Sequence, residues 1–220
     1  MPVSRWPAST IFAAAVLRLV APGCASAQIS IAPTIGVYVP TAELYKAATS
    51  GQTFKQEVSI TVGGRLGINF GQRVGIEGTV VYAPSKLKFS ATGSSSSTSA
   101  NILTGSGRAF VELLPRTNAL SLQVNGGVGI VRRSGTAYQG DPSNTDMGGV
   151  VGATLRFRLG RLLHLQLHAE DFVYKAQYAP STTGSGFTVV NKQLNDIHRG
   201  VGVGIPLLGL GGEGGGSTQH

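Results

Sequence analysis

Residues 119–131, ALSLQVNGGVGIV, and residues 151–167, VGATLRFRLGRLLHLQL, alternate apolar side chains with polar or small ones over three successive segments. The apolar residues have even numbers from Leu120 to Ile130 and odd numbers from Val151 onward. Because successive side chains of a strand point to opposite faces, this period of two predicts strands with one apolar and one polar face. Strands of about ten residues are long for globular proteins but have the length that crosses a bilayer in a tilted barrel.

Similar alternation over the rest of the chain predicts eight strands, joined by connections that are long and short in turn. The short turns lie at Gly71-Gln72, at residues 115–118 and at Gly160-Arg161. The four long connections cover residues 40–56, 85–101, 132–146 and 175–193. The second of them contains a Ser-rich run that we expect to be too polar to pack. Since bacterial barrels have short periplasmic turns and longer outer loops, the sequence predicts an all-β fold, an eight-stranded antiparallel up-and-down transmembrane β-barrel.

The composition suits such a barrel. Charged residues make up 13% of the chain, about half the usual share in soluble domains, and the 32 glycines are about twice the usual share. No run reaches the roughly 18 uncharged apolar residues of a spanning helix, so a membrane protein of this sequence would have to cross with strands. The net charge of +8 is scattered over turns and the predicted interior, without the basic stripe that nucleic-acid binding needs.

Three segments are predicted along the chain: residues 1–27 as a secretory signal peptide, residues 28–206 as the barrel domain, and residues 207–220 as a Gly-rich disordered tail. Arg5 supplies the positive start of the signal, and Ala25-Ser26-Ala27 matches its small-x-small cleavage pattern. Cys24 leaves a second interpretation open, in which this cysteine is acylated as in lipoproteins. Cleavage after Ala27 would remove Cys24 and leave a mature chain without thiols.

Two segments carry a family resemblance: GVYVP at residues 36–40 and NDIHRGVGV at residues 195–203. With them, the chain from Gln28 to Ile205 resembles the small eight-stranded outer-membrane barrels of the OmpX and OmpA-barrel type. The resemblance implies export through the inner membrane, a location in the cell outer membrane, contact with membrane lipids, and insertion by the barrel-assembly machinery. The chain departs from it in having a tail after Ile205-Pro206 where such barrels end in an aromatic residue.

Arg199 is a second departure, since it has the parity of the lipid-facing residues. An arginine facing lipid at mid-depth would cost roughly 2–4 kcal/mol. We therefore expect a bulge at this position, snorkelling of the side chain, or a position close to the membrane surface.

The polar face of the predicted strands places four positive and four negative groups inside the barrel. They are Arg65, Arg108, Arg156, Arg158, Glu77, Glu112, Glu170 and Asp196. Eight strands enclose an interior that side chains can fill, and charges buried there must pair or stay hydrated. The balanced set favours a salt-bridged plug that keeps the barrel closed, and a narrow polar path for ions is the alternative.

The sequence contains no pattern that indicates catalysis, a cofactor or a metal. His164 and His168 share a strand face but lie about 13 Å apart, which is too far for one zinc ion to join comfortably. Neither these histidines nor His198 has Ser two residues later, the pair that outer-membrane lipid A deacylases use, and no G-x-S-x-G motif occurs. The G-x-G runs are not followed by a helix, so they do not indicate a nucleotide site.

We therefore predict a monomeric, non-enzymatic outer-membrane barrel with a structural or surface-interaction role in its four outer loops. A small porin-like channel is the first alternative, and a soluble lipocalin-like binding barrel with inverted faces is the second. Lipopolysaccharide is a candidate partner of the basic residues near the outer loops, namely Lys86, Lys88, Arg132, Arg133 and Lys175. Aromatic residues near strand ends are predicted to form an interfacial belt, namely Tyr45, Phe54, Tyr82, Phe89, Tyr138, Tyr174 and Tyr178.

The cleavage site is directly testable. We expect N-terminal sequencing of the mature protein to begin at Gln28, because the small residues Ala25 and Ala27 flank the position that signal peptidase recognises. A mature chain that begins with an acylated Cys24 would instead make this a lipid-anchored protein.

Overall fold

The computed structural model describes residues 27–41, 45–46, 53–71, 73–91, 94–114, 119–138, 144–160, 162–178 and 190–207. The predicted signal peptide, apart from Ala27, and the predicted tail, apart from Leu207, lie outside the described residues. No helix among the described residues is long and apolar enough to cross a membrane.

Eight long strands form a closed antiparallel barrel, which confirms the predicted fold class. These strands are β1 (Ala27–Pro40), β4 (Ser59–Phe70), β5 (Val74–Ala83), β8 (Asn101–Glu112), β9 (Leu120–Ser134), β10 (Thr145–Arg158), β11 (His164–Tyr178) and β12 (Val190–Leu207). Each pairs with the preceding and following barrel strand, and β1 closes the circle by pairing with β12.

The short turns and the chain ends of the barrel lie together at one end, which we call the turn end. Gly71, with a φ of 70°, follows β4, and Gly160, with a φ of 113°, follows β10. Glycine adopts this left-handed conformation without the steric cost that other residues meet, which explains its place in both turns. The third turn, at residues 115–118, lies outside the described residues.

The opposite end, the loop end, carries a second, four-stranded sheet. Its strands are β2 (Tyr45–Lys46), β3 (Thr53–Gln56), β6 (Lys86–Ala91) and β7 (Ser94–Ser99), in the order β2-β3-β6-β7. The Ser-rich link therefore forms a strand, which the sequence did not indicate, while Ser95, Ser96 and Ser97 remain exposed and do not pack. The serines of β7 need no apolar face of their own, because their backbone pairs with β6 while Leu87 and Ala100 supply buried apolar contacts.

The pairing register fixes the tilt of the barrel strands. A path through hydrogen-bonded partners once around the barrel starts on β12 at Ile205 and returns to β12 at Asn195. It passes through Ile31, Leu66, Gly78, Gly107, Val128, Gly149 and Val173. The path thus climbs 205 − 195 = 10 residues toward the loop end. Ten residues of about 3.3 Å over eight strand spacings of about 4.8 Å correspond to a tilt of about 40°.

The outer face of the barrel is apolar over the height of a membrane. Ile60 and Val128 are each 65% exposed, and the outward side chains of the other strands at this depth are apolar or small apart from Asp171 and Arg199. On the outer face of β4 the apolar series runs from Val58 to Phe70, which at this tilt spans about 30 Å, close to the thickness of a hydrocarbon core. Since a lipocalin has its apolar face inside, the alternative of a soluble lipocalin-like barrel is wrong.

Neighbouring strands approach so closely at the inward Gly36 that a larger residue should destabilise the barrel, whereas the outward Gly64 has free space beside it. A Cβ added at Gly36 would lie 2.2 Å from the backbone oxygen of Arg199, whereas one at Gly64 would meet nothing within 4 Å. We expect Gly36→Ala to lower the free energy of unfolding by about 1–3 kcal/mol, since backbone cannot rotate away. Gly64→Ala should change it by less than about 0.5 kcal/mol. Urea titration of the folded barrel in detergent measures both, and equal effects would contradict the pairing of β1 with β12.

Candidate functional site in the barrel interior

The half of the interior nearer the turn end holds a network of six charged side chains, all of them buried. Glu77 of β5 lies at its centre. Its Oε1 accepts from Arg65 of β4 at 3.1 Å and from Arg108 of β8 at 2.7 Å, and its Oε2 lies 3.8 Å from Arg156 of β10. One carboxylate therefore contacts three guanidinium groups that come from three different strands.

Glu170 and Glu112 balance the remaining positive charge. Glu170 of β11 pairs with Arg65 and, at 2.6 Å, with Arg108. Glu112 of β8 pairs with Arg156. The network therefore contains three positive and three negative groups, which is the condition under which charges can remain ionised in a site with little water.

Two of the eight charged residues predicted for the interior do not belong to this network. Arg158 is exposed at the turn end, where it lines the mouth of a cavity. Asp196 is buried at the loop end and accepts a hydrogen bond from the hydroxyl of Tyr174. The sequence places all eight on the inner face, but the tilt of the strands separates them along the barrel axis.

A second polar cluster closes the loop end of the barrel. Arg133 of β9 is buried, pairs with Asp146 of β10, and donates to the Tyr174 hydroxyl at 2.8 Å. Its guanidinium also lies 5.2 Å from the centre of the Tyr174 ring. Its place near an outer loop had suggested contact with lipopolysaccharide. The structure shows that Arg133 is not available for this contact, because its odd number puts it on the inner face of β9. Arg132 beside it is exposed.

Apolar and aromatic side chains form a layer that begins above the charge network and continues into the loop end. Tyr38 and Phe172 flank the ring of His198, with centroid distances of 5.2 and 5.0 Å. The buried apolar residues of this layer are Tyr38, Ala83, Leu87, Ala100, Ile102, Val131, Tyr138, Val150, Phe172, Tyr174, Ala176 and Leu194. The part of the layer around Tyr38 and Phe172 lies between the charge network and the second polar cluster.

The same layer corrects part of the predicted aromatic belt. Tyr138 and Tyr174 are both buried in this layer, so they cannot lie at a lipid interface. Tyr82 does face outward and is exposed. The side chains of the other four residues of the predicted belt lie outside the described ones.

A cavity of about 290 Å³ opens at the turn end below the charge network. Its lining includes Gln28, Ser30, Ser121, Arg156 and His164. Its walls combine polar and apolar side chains, and it ends at Arg156 of the charge network.

The inward glycines of β12 make room for histidines on β11, a feature that the sequence analysis missed. Gly204 pairs with His164, and Gly200 with His168. A Cβ at either glycine would lie within 2.7 Å of the facing ring. The sequence did contain a signal for this arrangement. Glycine alternates with apolar residues on β12, and histidine occupies alternate positions on the neighbouring strand β11. No group of His, Cys, Asp or Glu among the described residues has a geometry that could hold a metal ion.

Comparisons with known proteins support the fold. Searches with protein-family models and of curated proteins found no match. Among solved structures, the chain is similar to the outer membrane protein OprG from Pseudomonas aeruginosa, with a TM-score of 0.59, 13% identity, and coverage of 84% of this chain and 98% of that one. It is also similar to outer membrane protein AlkL, whose structure was determined in DMPC bilayers, with a TM-score of 0.50, 12% identity, and coverage of 94% and 97%.

At these identities the likeness shows the fold alone. The chain has the fold of the small eight-stranded outer-membrane β-barrels, and the resemblance in architecture that its sequence indicated is confirmed.

The charge network predicts a large effect of removing its central carboxylate. We expect Glu77→Ala to lower the free energy of unfolding by about 3–5 kcal/mol if the site is dry, and by less if water enters, because three guanidinium groups lose a partner. Glu112→Ala should also destabilise the barrel. Thermal unfolding in detergent measures both, with the exposed Ser96→Ala of β7 as the control. Unfolding temperatures equal to that of the wild type for both glutamate variants would contradict a structural role of the network.

Proposed function

We propose that this chain is a non-enzymatic protein of the bacterial outer membrane, with a structural or surface-interaction role carried by its loop end. The observation that carries this proposal is the division of the barrel: an apolar outer band, a filled interior, and a polar sheet that extends from one end. Export and insertion by the barrel-assembly machinery are part of the proposal.

The outer band supports the membrane location. Exposed valine, isoleucine and leucine side chains surround the barrel over a height of about 30 Å, whereas soluble proteins rarely expose apolar patches of this size. A closed barrel also satisfies the backbone groups that would otherwise lack hydrogen-bond partners in lipid. The loop end would face the cell exterior, since long connections lie outside in barrels of this kind.

The loop-end sheet supports contact with anionic groups. Lys55 of β3 lies directly opposite Lys88 of β6, and both side chains are exposed. Like charges in this arrangement destabilise a sheet, so an anion between them would stabilise it. Lys86 is exposed two residues from Lys88. Phosphate groups of lipopolysaccharide match this chemistry, and Arg132 and Lys175 add exposed positive charge at the same end.

A small channel remains the second candidate because parts of the interior are polar and not fully paired. The cavity at the turn end reaches the charge network, and the amide of the fully buried Gln123 has no hydrogen-bond partner among the described residues. Buried amides of this kind are commonly hydrated. The apolar layer around Tyr38 and Phe172 argues against a continuous path.

Conductance distinguishes the two candidates. In planar bilayers we expect the wild type to show little or no steady current, since the apolar layer interrupts any water path. The double variant Phe172→Ala/Tyr174→Ala should conduct more than the wild type, because it removes two large side chains from that layer. Stable open channels in the wild type would favour the channel and contradict a purely structural or surface role.

The lysine pair gives a separate test of the surface role. We expect the double variant Lys55→Gln/Lys88→Gln to bind purified lipopolysaccharide at least about tenfold more weakly than the wild type in zwitterionic nanodiscs. Arg73→Gln, which removes an exposed positive charge at the turn end, is the matched control. Equal losses in the two proteins would show that general charge, and not the loop-end sheet, governs binding.

A further inference from the structure

Arg199 faces away from the barrel in the middle of an unbroken strand. It pairs with Val37 of β1 and with Ala169 of β11, and its side chain is exposed. The register continues on both sides of it, so the bulge that we considered from the sequence is not present. Within the described part of the chain, its guanidinium has no hydrogen-bond or ion-pair partner.

The position of Arg199 is also well inside the apolar band. At a tilt of about 40°, each residue along a strand advances about 2.5 Å along the barrel axis. Leu207 then lies about 20 Å below Arg199, and Asn195, where the outer face of β12 becomes polar, lies about 10 Å above it. The expected position close to the surface is therefore not observed. Outward residues at the same level on other strands, such as Val62 of β4 and Val80 of β5, are apolar and exposed.

An acid shares this part of the outer face. Asp171 of β11 pairs with Ile197, two residues from Arg199. Its Oδ2 accepts from the Asn195 side-chain amide at 3.3 Å, and its Oδ1 is buried without a partner among the described residues. Thus an arginine and an aspartate, each with unused hydrogen-bonding capacity, lie on adjacent strands of a surface that is otherwise apolar at this depth.

The two residues also lie at nearly the same height. A step from β11 to β12 across the hydrogen bonds climbs about 3 Å at this tilt, and two residues back down β12 descend about 5 Å. The Cα atoms of Asp171 and Arg199 therefore differ in height by about 2 Å and are about 8 Å apart across the surface. Opposite charges at equal height form a self-complementary patch for a two-fold axis that runs along the membrane normal.

We propose that a second copy of this chain docks on the β11–β12 face, so that Asp171 of each copy pairs with the partner's Arg199. Within one copy the two side chains are near enough to pair, but Arg199 extends away from Asp171 and stays exposed. In the dimer each guanidinium would meet the partner's carboxylate, so that neither charge faces lipid.

Small side chains around the patch permit the close approach that this dimer needs. Ala169 lies between Asp171 and Arg199, near the proposed axis, and pairs with the exposed Ala153 of β10. Gly149, further up β10, is also exposed, with nothing within 4 Å of an added Cβ. In lipid, where the hydrophobic effect does not drive association, small residues favour it by letting backbones meet.

This inference rests on the proposed membrane location. It replaces the monomer expected from the sequence, because the alternation of side chains does not show that Asp171 and Arg199 share one face at one height. Its test uses full-length protein in a Cys24→Ser background, folded into lipid vesicles and recovered by flotation. Flotation tests the membrane location by itself. A protein that floats with the vesicles but forms no dimer would therefore contradict the dimer and leave the membrane location supported. Resistance of the unheated barrel to SDS checks that each variant is folded.

Cysteine cross-linking measures the contact. Ala169→Cys should yield a disulfide-linked dimer, whereas Val80→Cys, at a similar depth on the opposite side, should give at least about tenfold less. Either Asp171→Arg or Arg199→Asp should lower the Ala169→Cys yield by about tenfold or more, because like charges would then face each other across the axis. The double variant Asp171→Arg/Arg199→Asp should restore the yield.

Three results would overturn the proposal. Yields that the charge reversals leave unchanged would mean that Arg199 snorkels to lipid headgroups without a protein partner. Equal cross-linking of Ala169→Cys and Val80→Cys would mean random collision. Cross-linking of Ala169→Cys in whole cells to a product of another mass, without the dimer, would identify a different membrane protein as the partner.

Discussion

Closure of the hydrogen-bond ladder between β1 and β12 is the constraint on which the rest of the structure depends. A sheet edge in lipid would leave backbone groups without partners, and each such group costs several kcal/mol. Closing eight strands with a shift of ten residues fixes the tilt and also the width of the interior. That interior is narrow enough for side chains to fill, so every inward residue must find a partner or pack.

The two halves of the interior satisfy this requirement in different ways. Near the turn end, charges neutralise each other around Glu77, and near the loop end, aromatic and aliphatic side chains pack against each other. Replacing a buried ion network by apolar residues is often neutral or stabilising, so the network is weak evidence for extra stability. Its distinguishing property is geometric, since each ion pair is formed only in the correct register of the strands that carry it.

Much of the fold could be predicted from alternation, because a period of two assigns each residue to a face without knowledge of its neighbours. The same rule, followed further, would have placed Arg133 and Tyr174 inside, since both have the inward parity of their strands. Alternation does not, however, tell how far along the barrel axis a residue lies. Only the pairing register shows that Asp196 lies apart from the network of Glu77 and that Asp171 is level with Arg199. Strand β7 could not be predicted at all, because a serine run pairs through its backbone and shows no apolar period.

The charge network also constrains the order in which the barrel can be completed. Arg65 and Glu170 are 105 residues apart in sequence, and the other members lie on strands between them. A partly assembled sheet that lacks β11 therefore contains Arg65 and Arg108 without one of their carboxylates. Such an intermediate has a net positive charge directed toward the future interior, which disfavours its release into lipid. The network thus becomes neutral only when β11 brings Glu170 to Arg65 and Arg108, so the late strands complete the charge balance of the early ones.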